Sequence, residues 1–97
     1  MRRIFIFAFN DLMGTQQSVL DFLDTRSEIL NWLSVLPHSI FIVSDHDLYQ
    51  LTRVITDNYP GRFFVISEIK GMTSNGLLGI AAWDFINFPK SSGRWKP

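Results

Sequence analysis

Cysteine is absent from this sequence. That removes disulfide cross-links, thiolate nucleophiles and zinc–sulfur centres together, and it fits a reducing compartment. An excess of charge is absent too. Nine Lys and Arg offset nine Asp and Glu, so no net field draws in nucleic acid or an acidic bilayer. No apolar run is long enough to span a membrane. The basic start Met1-Arg2-Arg3 before apolar residues has the outline of a signal peptide, but the run stops at Asn10-Asp11, too soon for an h-region and a cleavage site. No Gly-Lys-Ser/Thr accompanies Gly71, Gly76 or Gly79, so a phosphate loop is excluded. Ser18, Ser27 and Ser44 have no recognisable base partner, which leaves nucleophilic catalysis without support. These absences lead us to expect a cytoplasmic protein with no membrane segment and no cofactor.

What is present is apolar. Nearly half of the 97 residues are hydrophobic, enough for one domain burying roughly two-thirds of its unfolded surface. Three runs read as strands. Arg62 to Ile69 lies between Tyr59-Pro60-Gly61 and Lys70-Gly71, turn chemistry on both sides. Its unbroken Phe63-Phe64-Val65-Ile66 predicts burial on both faces. Ile4 to Phe9 and Ile40 to Val43 are similar. In the first of these, Phe5, Phe7 and Phe9 point one way and Ile4, Ile6 and Ala8 the other.

Between the strands the period changes. Thr15 can cap a helix running to about Asp24, with Val19, Phe22 and Leu23 as its apolar stripe. Ser44 or Asp45 can cap a second helix, with Leu48, Leu51, Val54 and Ile55 as its stripe and an end near Asn58. A short helix is expected around Ala81 to Ile86. Residues 1–89 form the domain, and 90–97 a flexible C-terminal tail. The segment after the first helix is ambiguous. Thr25-Arg26-Ser27-Glu28 has the form of a capping box, and Ile29, Trp32, Leu33 and Leu36 recur at helical spacing. The same residues fit a strand from Leu30 to Leu36, turning at Pro37-His38. A strand there gives the order strand, helix, strand, strand, helix, strand, the ferredoxin-like arrangement. That is an α+β fold whose four-stranded antiparallel sheet has two helices on one face. A helix there gives a three-stranded parallel sheet instead.

Strands apolar on both faces pose a problem of cover. Two helices hide one face only, and each large apolar side chain left wet forgoes about 1.5–3 kcal/mol. The segment Leu77 to Phe88, with Trp83, Phe85 and Phe88, can fold across the second face. A second copy can also pack against it with two-fold symmetry. One short segment rarely covers four strands, so a homodimer is expected, with Phe5, Phe7, Phe41, Phe63 and Trp83 as candidate interface residues.

Several stretches carry a resemblance. Asn31-Trp32, Leu36-Pro37, Ile40-Phe41-Ile42-Val43-Ser44, Arg62-Phe63-Phe64-Val65-Ile66, Glu68-Ile69, Asn75-Gly76-Leu77-Leu78 and Ala82-Trp83-Asp84-Phe85-Ile86 resemble the SinR-like small proteins. That family is similar in fold to VapD and to the small CRISPR-associated endonuclease. The resemblance implies a ferredoxin-like homodimer with facing sheets, and it selects the strand reading for Leu30 to Leu36. Some relatives are metal-dependent nucleases, with Tyr-Asp at the end of the first strand. Here that position reads Phe9-Asn10, with Asp11 one residue on. A shift of one residue turns a side chain to the other face, which counts against that activity.

The candidate chemistry is sparse. Asn10 and Asp11 sit where a strand's carboxyl end meets a loop, and paired Asp11 side chains across a dimer could hold Mg²⁺. Asn and Asp are equally ordinary turn residues. Asp45-His46-Asp47 has metal-binding residue types, but neighbours at a helix start diverge, and capping explains them. His38 beside its proline turn reads as exposed. Glu68 pairs with Arg62 or Arg3, or faces water. Arg94-Trp95-Lys96 combines cations with an aromatic ring, a mixture that binds single-stranded nucleic acid or simply solubilises a tail.

Overall fold

The computed structural model of the chain describes residues 2–95. Strand β1 (Arg3–Phe9) alternates as its sequence requires, Phe5, Phe7 and Phe9 to one face and Ile4, Ile6 and Ala8 to the other. Strand β3 (Ser39–Ser44) lies antiparallel beside it, Ile4 opposite Val43 and Phe7 opposite Ile40. On the other side β4 (Phe64–Ile69) is also antiparallel, Phe9 opposite Phe64 and Phe5 opposite Glu68. Strand β2 (Asn31–Leu36) completes the sheet against β3, and the order across it is β2-β3-β1-β4. The two most uniformly apolar strands are therefore the inner ones.

The ambiguous segment is a strand, and its burial shows why. A helix would have gathered Ile29, Trp32 and Leu33 on one side. Instead Ile29 and Trp32 join the core on the Phe5–Phe7 face, while Leu30 and Leu33 join the core on the opposite face. The Leu30 amide already donates to the Val43 carbonyl at 2.8 Å, one residue ahead of the strand.

Helices α1 (Gln16–Leu23) and α2 (Leu48–Asn58) cover the first face. Val19, Leu20 and Leu23 from α1 and Leu51 and Ile55 from α2 pack on Phe5, Phe7, Ile40, Ile42 and Ile66. The Phe7 ring stands edge-on to Phe64 at 5.7 Å. Thr15 caps α1 by accepting the Ser18 amide at 3.1 Å. The cap of α2 is Asp47 rather than Ser44 or Asp45. Its carboxylate accepts the Gln50 amide at 2.8 Å, and the Gln50 side chain accepts the Asp47 amide at 3.0 Å. Ser44 is fully buried and committed elsewhere. Its Oγ donates to the Glu28 carbonyl at 2.6 Å and accepts the His46 amide at 3.0 Å, which ties the end of β3 to the preceding loop.

Helix α3 (Ile80–Asn87) lies on the second face. Ile86 and Trp83 pack there with Ile4, Phe41 and Val43, all three buried. A helix is about 10 Å across and, at this length, about 12 Å long. Strands about 4.8 Å apart outrun that footprint, so the β4 side of the face stays open. This corrects the expectation for Phe63 to Ile66. Phe64 to Ile66 begin the edge strand β4, with Phe63 just before it, and of this run Val65 is 63% exposed and only Ile66 is buried. Its apolar character had implied two covered faces, but at the sheet's margin the second cover is missing.

Two substitutions test this account by urea denaturation. Phe7→Ala, at the centre of the helix-covered core, lowers stability by about 3–5 kcal/mol. Asp47→Ala, which removes a cap without opening a cavity, lowers it by about 1 kcal/mol.

Candidate functional site

Polar side chains concentrate where the carboxyl end of β1 meets the β2–β3 hairpin. The Asn10 amide extends the sheet ladder by donating to the Phe63 carbonyl at 3.1 Å. Its side chain accepts the Leu12 amide at 2.8 Å and so caps the 3-10 turn Asp11–Met13. Turn chemistry thus accounts for Asn10. Asp11 has an additional contact: its Oδ1 lies 3.0 Å from Nε2 of His38. His38 has φ +58°. Pro37 followed by a left-handed residue is the type II pattern, and it turns the chain tightly between Leu36 and Ser39. The ring of His38 stands edge-on to Phe9 at 5.9 Å, and its carbonyl accepts the Phe9 amide at 3.0 Å.

Gln16 holds this corner together. Its Nε2 donates to Ser34 Oγ at 2.8 Å, to the Ser39 carbonyl at 3.1 Å and to the Leu36 carbonyl at 3.3 Å. Its Oε1 accepts the His38 amide at 3.0 Å. The ladder between β2 and β3 loses register between Leu33 and Leu36, and Gln16 bonds the Ser34 side chain there and backbone groups at the hairpin end.

A carboxylate against an imidazole is the orienting half of a general-base arrangement. Among the described residues no hydroxyl or third charged group is bonded to either side chain. The Asp11 and His38 side chains are 78% and 54% exposed, so water competes for both. Among the described residues no group of three or more His, Asp or Glu side chains could hold a metal ion.

A second polar feature is a cleft of about 520 Å³ lined by Phe22, Arg26, Glu28, His46, Gln50 and Arg53. Arg26 grips Glu28 through two bonds of 2.9 and 3.1 Å. That hydrogen bond holds the Glu28 carboxyl below the usual carboxylate range, against the opposing effect of burial, and it raises the Arg26 guanidinium. Asp45 pairs with His46 at 2.9 Å while Asp47 caps α2, so the three residues Asp45-His46-Asp47 do not converge.

The residues expected at a dimer interface separate. Phe5 and Phe7 are fully buried beneath α1 and α2 and have no surface to offer a partner. Phe41 is buried under α3, and Trp83 is half-buried beside it. Phe63 is 79% exposed. Next to the covered part of the second face, a groove of about 430 Å³ runs between Ile6, Ile69, Phe41, Leu77 and Trp83. Glu68 faces Arg3 at 4.0 Å.

The segment after α3 lies against β2. The Ser92 amide donates to the Leu30 carbonyl at 2.8 Å, and the Asn31 side chain donates to the Lys90 carbonyl at 3.2 Å. Arg94 reaches Asp24 at 3.4 Å, on the same oxygen that accepts the Trp32 indole N–H at 2.7 Å. Trp95 is half-buried, and Lys96 lies outside the described residues. Sequence reading did not single out Asp24 or Gln16, because each gains its role from segments far away in the chain.

No protein-family model, curated protein or solved structure matches this chain.

Two measurements test the polar framework. Gln16→Ala strips partners from several backbone groups and costs about 1–3 kcal/mol of stability by urea unfolding. Glu28 is depressed in the folded state, so its contribution is present above the ordinary glutamate range and is lost as pH falls through the lowered value. Glu28→Gln flattens that acid limb when urea midpoints are compared across a pH series.

Proposed function

We propose that this chain is a non-enzymatic domain of ferredoxin-like arrangement that acts as a homodimer through protein contacts. The β-α-β-β-α-β chain order and the inner position of β1 and β3 support that arrangement. The resemblance of its core stretches to the SinR-like small proteins supports it independently, and points to the same mode of association.

The observation that carries the reading is the incompletely covered second face. Val65 on β4 and Phe63 just before it lie exposed, and Leu77, in the groove wall, is 97% exposed. Each large apolar side chain left in water forgoes about 1.5–3 kcal/mol that a partner surface would recover. Several together on one side of a small domain mark an interaction surface. Protein is favoured over nucleic acid as the partner, because Arg94 is engaged by Asp24 and the chain has no net charge.

Light scattering across a concentration series tests this. The expected result is a mass approaching two chains, with Val65→Glu shifting the molecule to a single chain. A single-chain mass at millimolar concentration overturns it. A second reading, a Mg²⁺-dependent nuclease, draws on one observation: Asp11 is exposed at the carboxyl end of β1 with an imidazole at 3.0 Å. Cleavage of RNA or DNA that requires Mg²⁺ and is lost in Asp11→Asn would establish that activity in place of the non-enzymatic reading.

A further inference from the structure

The two margins of the sheet are finished differently. At β2 the ladder is irregular between Leu33 and Leu36, and the segment after α3 lies along the outer side, bonding Leu30 and Asn31. Irregularity and cover are the ordinary protections of an edge strand, along with Lys, Pro and inward-pointing charge. At β4 none of these is present from Phe63 to Ser67. The stretch reads Phe-Phe-Val-Ile-Ser, and its register with β1 is unbroken.

The open backbone groups can be assigned. The Asn10 amide donates to the Phe63 carbonyl, so Phe63 turns its backbone toward β1. Alternation along an antiparallel ladder turns Val65 and Ser67 inward as well, and leaves the amides and carbonyls of Phe64, Ile66 and Glu68 facing out. Among the described residues, the contact these outward groups make beyond the strands is a long one, Ser67 Oγ at 3.4 Å from the Glu68 carbonyl.

We propose that β4 pairs antiparallel with β4 of a second copy, about a two-fold axis through Val65, so that two sheets become one continuous sheet. This rests on the homodimer reading but joins the copies edge to edge rather than with facing sheets, and it states the register in which they meet.

Backbone parity and charge together select the register. Outward-facing residues must meet outward-facing residues, so the axis passes through a residue rather than between two, and near the middle of the unprotected stretch that residue is 64, 65 or 66. An axis at Phe64 sets Arg62 against Ile66 and Glu68 against Pro60. An axis at Ile66 sets Glu68 against Phe64 and Arg62 against Lys70, a like-charge pair. An axis at Val65 lets Phe64 and Ile66 exchange hydrogen bonds across the interface, places Phe63 against Ser67, and sets each Arg62 against a Glu68. Arg62 has no ion pair within 4 Å among the described residues, and Glu68 has only the long 4.0 Å contact to Arg3. The strand is thus complementary to itself in one register. The Arg62 amide is used by the Tyr59 carbonyl at 3.2 Å, so the backbone ladder ends at Phe64 and the outer pairs are made by side chains alone. Pairing in this way also brings Val65 against Val65 and covers part of the exposed Phe63.

The test is a charge exchange between copies, read by sedimentation. Arg62→Glu alone and Glu68→Arg alone each juxtapose like charges twice, and each raises the dimer dissociation constant by about tenfold or more. Mixing the two variants restores association, because each mixed pair carries opposite charges at both positions. A second readout depends on geometry alone. Opposed residues at the axis have Cα atoms about 4.5 Å apart, within disulfide range. Mild oxidation therefore cross-links Val65→Cys into a covalent dimer and leaves Ser67→Cys uncoupled, with no native cysteine to interfere. If the protein dimerises but neither charge variant weakens it and Val65→Cys stays uncoupled, the edge pairing is overturned and the homodimer reading stands. If the unaltered protein remains a single chain at all concentrations, both fall.

Discussion

A four-stranded sheet with apolar side chains on both faces needs two covers, and in this chain the covers are unequal. Two helices, capped by Thr15 and Asp47, cover the face bearing Phe5, Phe7 and Phe9. One eight-residue helix covers the other face over Ile4, Phe41 and Val43 and leaves Val65 of β4 exposed. Most of the molecule's distinctive features follow from that imbalance. The inner strands are the best buried, β4 keeps only Ile66 fully buried, and exposed Phe63 and Val65 lie at a margin where backbone groups are also open.

The polar residues serve mainly to make this arrangement possible. Gln16 answers the irregular stretch of the β2–β3 hairpin, Ser44 secures the end of β3, and Asp24 receives both Trp32 and Arg94. Each replaces hydrogen bonds to water that burial would otherwise remove. Residue types that suggest chemistry in isolation, such as Asn10 and Asp47, are used as caps. The Asp11–His38 contact closes the corner between β1 and the hairpin. Activity on a substrate would need a further group there, and association with a second molecule would be one way to supply it.

Much of this was legible in advance, for identifiable reasons. The strands at Ile4–Phe9 and Ile40–Val43 announced themselves by unbroken apolar runs, and the first helix by its cap and its stripe. The segment at Leu30–Leu36 was ambiguous because its apolar residues satisfy both periods. It became a strand because its side chains divide between two cores, and no local pattern reports that division. The cap of α2, expected at Ser44 or Asp45, lies two or three residues further on because Ser, Asp and His crowd the same stretch, and Ser44 was drawn into a buried bond with a carbonyl sixteen residues away. Asp11 and His38 were each noted, but their contact required a left-handed turn to bring the hairpin back to the end of β1.

Local composition by itself determined where the chain extends, where it coils, and that its sheet would be apolar on both sides. Those outcomes depend on interactions between residues within a few positions of each other. Only the tertiary structure decided which strand lies at the margin. An edge strand and an inner strand can carry the same residues. What distinguishes them is whether a second strand pairs on the far side: β4 has only β1 beside it, and the cluster under α3 takes in Ile69 of β4 but leaves Val65 exposed.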